Sequence, residues 1–176
     1  MNKKRKRLVI RTSILIILFL MVGYALYQNL NKDDKTVFAK EGKPAINFQL
    51  KNLNKEKVTL SDYKGKVVLL NFWGTWCEPC KKEMPAIESI YNKYKKDGFE
   101  VLAINLNESA FAISSFLKQN KVNIPVLLDK NDEVNKAYNV YRLPASFFID
   151  RKGKIVRVHE GEMNEKQIEK WVKELL

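Results

Sequence analysis

The sequence predicts an α/β domain in which a mixed β-sheet lies between layers of helices. Apolar runs at residues 66–73, 99–106 and 124–128 are typical of strands buried on both faces, because they are rich in β-branched, aliphatic and aromatic side chains. Segments with helical spacing of apolar residues separate these runs, and such alternation is typical of a layered α/β architecture. A hairpin signal and a closing helix follow, so antiparallel strands are expected beside the parallel ones.

The first thirty residues predict a membrane anchor. Residues 12–30 contain no charged side chain, and a helix of this length, at about 1.5 Å per residue, spans roughly the hydrocarbon core of a bilayer. Residues 1–11 carry six basic and no acidic side chains, which favours a cytoplasmic tail and export of the remainder. The apolar run is longer than a usual signal-peptide core and no small-x-small site follows it directly. An uncleaved, single-pass signal-anchor in the cell membrane is therefore expected.

Residues 31–43 are polar and show no periodicity, which predicts a linker, and residues 44–176 are expected to form the exported domain. Beyond residue 30 the chain carries 26 basic and 20 acidic side chains. This excess is mild, and the aromatic residues do not alternate with basic ones as a base-stacking surface requires. Nucleic-acid binding is therefore not expected. An extra N-terminal hairpin is predicted within residues 47–60.

Helices are predicted between and after the strands. Residues 79–96 and 109–120 place apolar side chains three and four positions apart, and Ser109 is available as an N-cap of the second segment. Strand-like runs at 146–150 and 154–159 flank a short turn signal. The chain ends in a predicted helix whose start, Asn164 with Gln167, resembles a capping box. The apolar stripe of this helix consists of Ile168, Trp171, Val172 and Leu175.

The chain contains two cysteines, Cys77 and Cys80. On an exported domain this pair can form a disulfide of its own. Such a bridge closes a very small loop and restricts the unfolded chain little, so a structural role is the weaker interpretation. Zinc requires three or four protein ligands, and the one histidine, His159, is distant in sequence. The sequence therefore indicates a redox pair, with no metal and no cofactor.

The position of the pair supplies a mechanism. It follows a predicted buried strand and begins a predicted helix, whose first turn has unpaired N–H groups and the positive end of the helix dipole. Both features stabilise a thiolate on Cys77 and lower the thiol pKa. Pro79 is tolerated in a first helical turn, where its missing N–H is not needed. Cys80, one turn further, is expected to be shielded and to resolve a mixed disulfide.

These residues resemble the active-site segment of the thioredoxin superfamily. The similarity is carried by residues 72–80, by Pro85 in the following helix, and by the pair Leu143 and Pro144, which matches the family's cis-proline loop. The resemblance covers roughly residues 43–176 and implies a thioredoxin-like fold. More narrowly, Asn71 to Thr75, the Cys-Glu-Pro-Cys motif, residues 81–83 and the N-terminal anchor are similar to the ResA group within the TlpA-like branch.

Members of that group are extracytoplasmic reductases of the Cys-x-x-Cys-His sites of apocytochrome c, to which haem is later attached. They receive electrons from a membrane thiol–disulfide transporter of the CcdA type. The resemblance therefore implies a protein disulfide reductase acting in cytochrome c maturation, with apocytochrome c or another exported disulfide protein as substrate. A monomer is expected. A similar layout occurs in a sister reductase of endospore cortex synthesis, so the substrate stays open.

Thioredoxin has a buried acid on the strand before the motif, where this chain has Asn71, and an amide cannot shuttle a proton. Glu83 is three residues after Cys80 and lies on the same helical face. In ResA-like proteins the matching Glu lies by the cysteine pair and tunes its acidity. Glu83 is therefore expected to donate or accept the proton and to modulate the thiol pKa. A nearby carboxylate raises thiol pKa values and so opposes the helix dipole.

The substrate-binding residues are expected around the pair. They are Trp76, Glu78, Pro79, Leu143 and Pro144. Trp76 is expected to form a contact platform, and Leu143 and Pro144 match the loop that binds the substrate backbone in the family that this chain resembles. Three of them also have a simpler interpretation: Trp76 as a core tryptophan, Glu78 as a helix-start acid and Pro144 as an ordinary turn proline. Glu83 could likewise be a solvated helix residue paired with a lysine.

Other functions occur in the same superfamily, and each has its own sequence pattern. Thioredoxin-like copper chaperones use a Cys-x-x-x-Cys pair and a distal His, and this chain has one residue fewer between its cysteines. Peroxidases use a Thr-x-x-Cys setting, whereas Thr75 stands two residues before Cys77. Strong oxidants of the DsbA type carry a helical insertion for which this chain has little room.

Overall fold

The computed structural model describes residues 3–30 and 39–176. The chain divides into two compact units, residues 1–36 and 37–176. In the first, helix α1 spans Lys3–Leu30, and its apolar side chains from Ile14 to Val22 are exposed. Among the described residues, no helix is both long and apolar enough to cross a membrane. The transmembrane segment over 12–30 therefore stays a prediction.

The second unit is built on one seven-stranded sheet in the order β2-β1-β5-β4-β3-β6-β7. The central strand β3 runs parallel to β4 and antiparallel to β6. The strands are β1 (Gln49–Asn52), β2 (Lys57–Thr59), β3 (Val67–Trp73), β4 (Phe99–Leu106), β5 (Val126–Asp129), β6 (Ala145–Ile149) and β7 (Ile155–Glu160). The mixed sheet, the hairpin within 47–60 and the flanking helices agree with the expected thioredoxin-like architecture.

Among residues 39–176 there are four α-helices, besides two short 3-10 helices at Leu60–Tyr63 and Lys95–Asp97. The α-helices are α2 (Glu78–Tyr94), α3 (Ala110–Asn120), α4 (Glu133–Ala137) and α5 (Glu165–Lys173). Ser109 caps α3 by accepting a hydrogen bond from the Ala112 N–H, and Asn164 caps α5 by accepting one from the Gln167 N–H. Each cap satisfies an N–H group that a helix start leaves unpaired.

Successive side chains of β3 point to opposite faces of the sheet, and this alternation divides the core in two. Leu69 and Trp73 pack with α2 and α5 on one face. Leu70 and Phe72 pack on the other, with Tyr138 of the segment after α4. Asn71 has the same parity as Leu69 and Trp73, so this polar side chain points towards α2 from a strand that is otherwise apolar.

Two boundaries differ from the sequence prediction. The strand expected from Ile124 begins at Val126, because Pro125 has no N–H to donate to the sheet ladder. The linker predicted over 31–43 lies outside the described residues as far as residue 38. Its last residues pack on the domain: Ala39 is buried, and the Gly42 N–H donates to the Ile155 carbonyl at 2.8 Å.

The register places the ends of three strands at the same edge of the sheet. Trp73 and Asn105 pair near the ends of the parallel strands β3 and β4, and Phe72 pairs with Ala145 at the start of antiparallel β6. The connections that leave β3 and β4 and the one that enters β6 therefore meet at this edge. They contain the cysteine pair, Glu108 and Pro144 respectively.

Candidate active site

The cysteine pair lies at the junction of β3 and α2. Cys77 is the N-cap of α2, and its Sγ accepts a hydrogen bond from the Cys80 N–H at 3.3 Å. Pro79 occupies the first helical turn, as its missing N–H allows. Cys77 and Cys80 form a disulfide with an S–S distance of 2.07 Å. The first sulfur therefore sits where backbone N–H groups and the helix dipole favour negative charge.

The two sulfur-bearing residues differ in access. Cys77 is 6% exposed and Cys80 is fully buried. Trp76, directly before Cys77, is 67% exposed. Its indole lies against the loop because Gly74 has no side chain: a Cβ there would lie 2.8 Å from Trp76 Nε1. A substrate can thus approach Cys77 beside the exposed Trp76 ring, whereas Cys80 is shielded from solvent and from a substrate.

The remaining predicted contact residues lie in the first turn of α2 and in the loop that enters β6, where Pro144 is buried. Glu78 and Pro79 are exposed in the first turn of α2, and Glu78 forms an exposed ion pair with Lys81 at 3.1 Å, which contributes little to stability. The Leu143–Pro144 peptide bond is cis, as the family resemblance implied. The Pro144 carbonyl accepts a hydrogen bond from the Gly161 N–H at 2.8 Å, and Leu143 is half-buried against the core.

Glu83 lies inside the domain, one turn after Cys80. The inward stripe of α2 consists of Cys80, Glu83, Met84, Ile87, Ile90 and Tyr94. Glu83 is 1% exposed and accepts two hydrogen bonds: Asn71 Nδ2 donates to Oε1 at 2.8 Å, and the Met163 N–H donates to Oε2 at 3.1 Å. The alternative of a solvated residue paired with a lysine is therefore wrong.

Burial raises the pKa of Glu83 to about 7. The hydrogen bonds from Asn71 and Met163 favour the ionised form and oppose this rise, whereas the charge of Glu162 adds to it. A carboxyl group that titrates near neutrality can both take and give a proton under physiological conditions.

Two residues of the hydrogen-bond network around Glu83 were not identified from the sequence. Ser146, fully buried on β6, accepts a hydrogen bond from Asn71 Nδ2 at 3.1 Å. Met163 contributes its backbone from the segment between β7 and α5. A polar Asn71 in an apolar strand was the available signal, but its partners lie 75 residues away on β6 and 12 residues away on α2.

Glu108 was also missed. Its carboxylate accepts hydrogen bonds from the Thr75 N–H at 2.7 Å, from the Thr75 hydroxyl, and from Asn105 Nδ2 at 2.8 Å. Thr75 is two residues before Cys77, so Glu108 fixes the loop that carries the more accessible of the two cysteines. An acid directly after a parallel strand that neighbours β3 is the sequence signal that could have revealed it.

Within residues 3–30 and 39–176, no group of three or more His, Cys, Asp or Glu side chains is arranged to hold a metal ion. His159 packs against Trp171, with ring centroids 5.3 Å apart. The arrangement at the sheet edge instead supports thiol chemistry: one reachable sulfur, one shielded sulfur and a buried carboxyl group on the same helix.

The comparisons with known proteins agree with this chemistry. The AhpC/TSA family model matches residues 42–158. A curated relative, "Thiol-disulfide oxidoreductase ResA" of Bacillus subtilis strain 168, is 45% identical over 166 residues, which cover 94% of this chain and 92% of that protein. A crystal structure of StoA from Bacillus subtilis aligns with a TM-score of 0.64 and 33% identity, covering 73% of this chain and 96% of that one.

A second solved structure supports the fold. It is a thiol:disulfide interchange protein of the thioredoxin family from Chlorobium tepidum, with a TM-score of 0.70 and 26% identity. The match covers 78% of this chain and 97% of that one.

The raised pKa of Glu83 predicts that part of the free energy of unfolding depends on pH, and that Glu83→Gln removes this part. The folded state holds a proton on Glu83 that the unfolded chain releases, so this contribution is present below pH 4.5 and is lost as pH rises through about 7. Its size is on the order of 3 kcal/mol. Urea unfolding of the oxidised proteins from pH 4 to 8 measures this contribution as the difference in free energy of unfolding between the wild type and the variant. A difference that does not change with pH would contradict the assignment.

Glu108→Ala is expected to slow exchange at Cys77 several-fold, because Thr75 loses the acceptor of its N–H and hydroxyl groups and the loop is no longer fixed. Glu88→Ala is the matched control: Glu88 accepts a backbone hydrogen bond from the Asn123 N–H at 2.7 Å, on the same helix as the cysteines but away from them. Both variants should lose stability, about 1–3 kcal/mol at most. Alkylation rates of the reduced proteins distinguish them, and equal rates would remove Glu108 from the site.

Proposed function

The chain belongs to the AhpC/TSA family and is a thiol–disulfide oxidoreductase of thioredoxin-like fold, and we propose that it is a reductase of exported proteins with apocytochrome c as its substrate. The observation that carries this proposal is the combination of a reachable Cys77 at a helix start with a buried Glu83 one turn beyond a shielded Cys80. The other proposed site residues, which would contact the substrate, are Trp76, Glu78, Pro79, Leu143 and Pro144.

The reaction starts from the reduced dithiol. The Cys77 thiolate, stabilised at the start of α2, attacks one sulfur of the substrate disulfide. A Cys77–substrate disulfide forms, and the other substrate sulfur leaves as a thiolate, which takes up from solvent a proton equivalent to the one that Cys77 released on ionisation. Trp76 and the Pro144 loop hold the substrate chain beside Cys77 during this step.

Cys80 completes the exchange. Glu83 as carboxylate accepts the Cys80 proton, and the resulting thiolate attacks Cys77 Sγ. The Cys77–Cys80 disulfide forms as the mixed disulfide breaks, and the second substrate thiolate takes the proton that Glu83 gives up. Two electrons and two protons have then passed from the enzyme dithiol to the substrate.

The same carboxyl group supports the proposed direction of the reaction. A strong oxidant owes its potential to a stabilised reduced form, with a thiolate of low pKa. A carboxylate behind the cysteine pair repels a thiolate and so opposes the stabilisation that the helix start gives. The oxidised form of this couple is favoured in comparison, which makes the dithiol a donor of electrons.

The finer assignment of the substrate rests on the resemblance to the ResA group. An extended Cys-x-x-Cys-His segment of apocytochrome c suits a site with an exposed Trp76 and the Leu143–Pro144 loop beside it. A CcdA-type membrane transporter is the proposed electron donor. The catalytic unit works as a monomer on the extracytoplasmic side.

The membrane location is part of the proposal. Residues 12–30 carry no charge and follow a cluster of six basic residues, and the apolar side chains from Ile14 to Val22 of α1 are exposed. Exposed apolar side chains over this length are costly in water and favourable in a bilayer. α1 is therefore proposed to anchor the catalytic domain outside the cytoplasm.

Trapping tests the exchange mechanism and the substrate together. With an oxidised Cys-x-x-Cys-His peptide, reduced Cys80→Ser should accumulate a mixed disulfide through Cys77, because the resolving thiol is absent, and Cys77→Ser should form none. A peptide with His replaced by Ala is the specificity control. Mass spectrometry under non-reducing conditions measures the fraction of each variant that carries the peptide as a mixed disulfide. Normal turnover by Cys80→Ser would exclude the two-thiol mechanism, and equal trapping of both peptides would exclude recognition of the haem-attachment histidine.

Membrane attachment is tested by fractionation of cells that produce the full chain or a variant lacking residues 1–30. The full chain should stay in the membrane pellet after alkaline carbonate washing and should be degraded by protease added to protoplasts. The truncated protein should leave the pellet. Release of the full chain by carbonate, or its protection from external protease, would contradict the proposed location.

A further inference from the structure

The surroundings of Glu83 match only one of its two charge states. Both carboxylate oxygens face N–H donors, Asn71 Nδ2 at 2.8 Å and the Met163 N–H at 3.1 Å. Ionised Glu83 is an acceptor on both oxygens and is therefore well matched. Protonated Glu83 carries an O–H donor, and neither of these neighbours offers it an acceptor. A buried O–H without an acceptor is costly, so a change of charge requires a change in the network.

An acceptor close to this point is on Asn71 itself. Asn71 is fully buried and directs both N–H groups of its amide outward, one to Glu83 Oε1 and one to Ser146 Oγ. Its Oδ1 has no hydrogen-bond partner among the described residues. A primary amide is nearly symmetrical in shape, so half a turn about its terminal torsion exchanges Oδ1 and Nδ2 with little displacement of neighbours.

We propose that the Asn71 amide reverses its orientation each time Glu83 gains or loses its proton, and that Ser146 makes this reversal possible. With Glu83 ionised, Nδ2 donates to Glu83 Oε1 and to Ser146 Oγ, as the structure shows. With Glu83 protonated, Oδ1 takes the place of Nδ2 and accepts from the Glu83 O–H. Oδ1 has two lone pairs, and the Ser146 hydroxyl rotates to donate to the second.

The two orientations are balanced because each leaves one end of the amide unpaired. In the ionised state the unpaired atom is Oδ1, and after reversal it is Nδ2. Each state also keeps one bond to Glu83 and one to Ser146. The network therefore does not favour either charge of Glu83 strongly, and the carboxyl group can exchange a proton without leaving an additional polar atom unsatisfied. Asn71 and Ser146 are positioning residues for this proton transfer.

The other groups around Glu83 leave this assignment intact. Cys80 is on the same helix and is held in the disulfide. Glu162, in the segment after β7, contributes a negative charge that disfavours ionised Glu83. The Met163 N–H can donate to either form of the carboxyl group, because the oxygen it contacts remains an acceptor when the proton is on the other one. The reversal is therefore assigned to the Asn71 side of the carboxyl group.

The kinetic consequence rests on the proposed function, in which Glu83 takes the proton of Cys80. An amide cannot carry a proton, but one that reverses can supply a donor to the carboxylate before the transfer and an acceptor to the carboxylic acid after it. Amide rotation then accompanies each catalytic cycle twice, once when Glu83 is protonated and once when it is discharged.

Nuclear magnetic resonance of the oxidised, full-length protein in detergent micelles tests the reversal directly. The Asn side chains are labelled with ¹⁵N and Glu with ¹³C, and spectra are taken from pH 5 to 9. The Asn71 amide signals should change with the same midpoint as the Glu83 Cδ signal. Nuclear Overhauser contacts from the Asn71 amide protons to the Ser146 β-protons should be present above that midpoint and lost below it. Contacts that persist on both sides would overturn the proposal.

Two controls define the origin of the change. In Glu83→Gln the Asn71 signals should show no step at that midpoint, because no carboxyl group titrates beside them; a retained step would assign the change to another group and overturn the proposal. Asn105 is the internal reference, since its buried amide donates to Glu108 and also has an unpaired Oδ1. Its signals should not follow Glu83. A fixed Asn71 amide in a protein that still exchanges disulfides would remove this inference and leave the proposed function standing.

Discussion

The site depends on a carboxyl group buried between the central strand and the helix of the redox pair. Glu83 occupies a core position of α2, where a charge is costly unless hydrogen bonds compensate for lost water. Asn71 of β3 and the Met163 N–H supply that compensation in part, and the pKa settles near 7. A fully compensated carboxylate would remain ionised and an uncompensated one would remain neutral. The partial balance gives a group that can exchange a proton behind the disulfide.

The position of this carboxyl group follows from the fold. Because β3 ends where α2 begins, the cysteine at the helix start is near the surface, while the inward stripe of the same helix carries the second cysteine and the acid into the core. Parallel β4 brings Glu108 to the same edge, where it holds the Thr75 loop. Antiparallel β6 brings the cis-proline loop and Ser146. One sheet edge thus combines access for a substrate, a positive helix end and a shielded proton acceptor.

Much of this could be predicted from residues close in sequence. The strand before the cysteines, the helix after them and the three-residue step from Cys80 to Glu83 depend on local periodicity, and the structure agrees. The cis bond at Pro144 came only from the family resemblance, because local sequence rarely decides a cis peptide. The partners Ser146, Met163 and Glu108 were not found, because each meets the site through loops or strands far along the chain. The family resemblance placed Asn71 at the position of a buried acid, but it could not show which residues Asn71 contacts.

The reduction potential of the Cys77–Cys80 couple tests the central claim most directly, since it decides whether this site gives or takes electrons. It is measured by equilibration with graded dithiothreitol or glutathione mixtures at pH 7, with the oxidised fraction followed by alkylation and mass spectrometry. A dithiol opposed by a buried carboxylate is predicted to have a potential near or below about −270 mV, that of thioredoxin. A value near about −120 mV, that of a strong oxidant such as DsbA, would contradict the account.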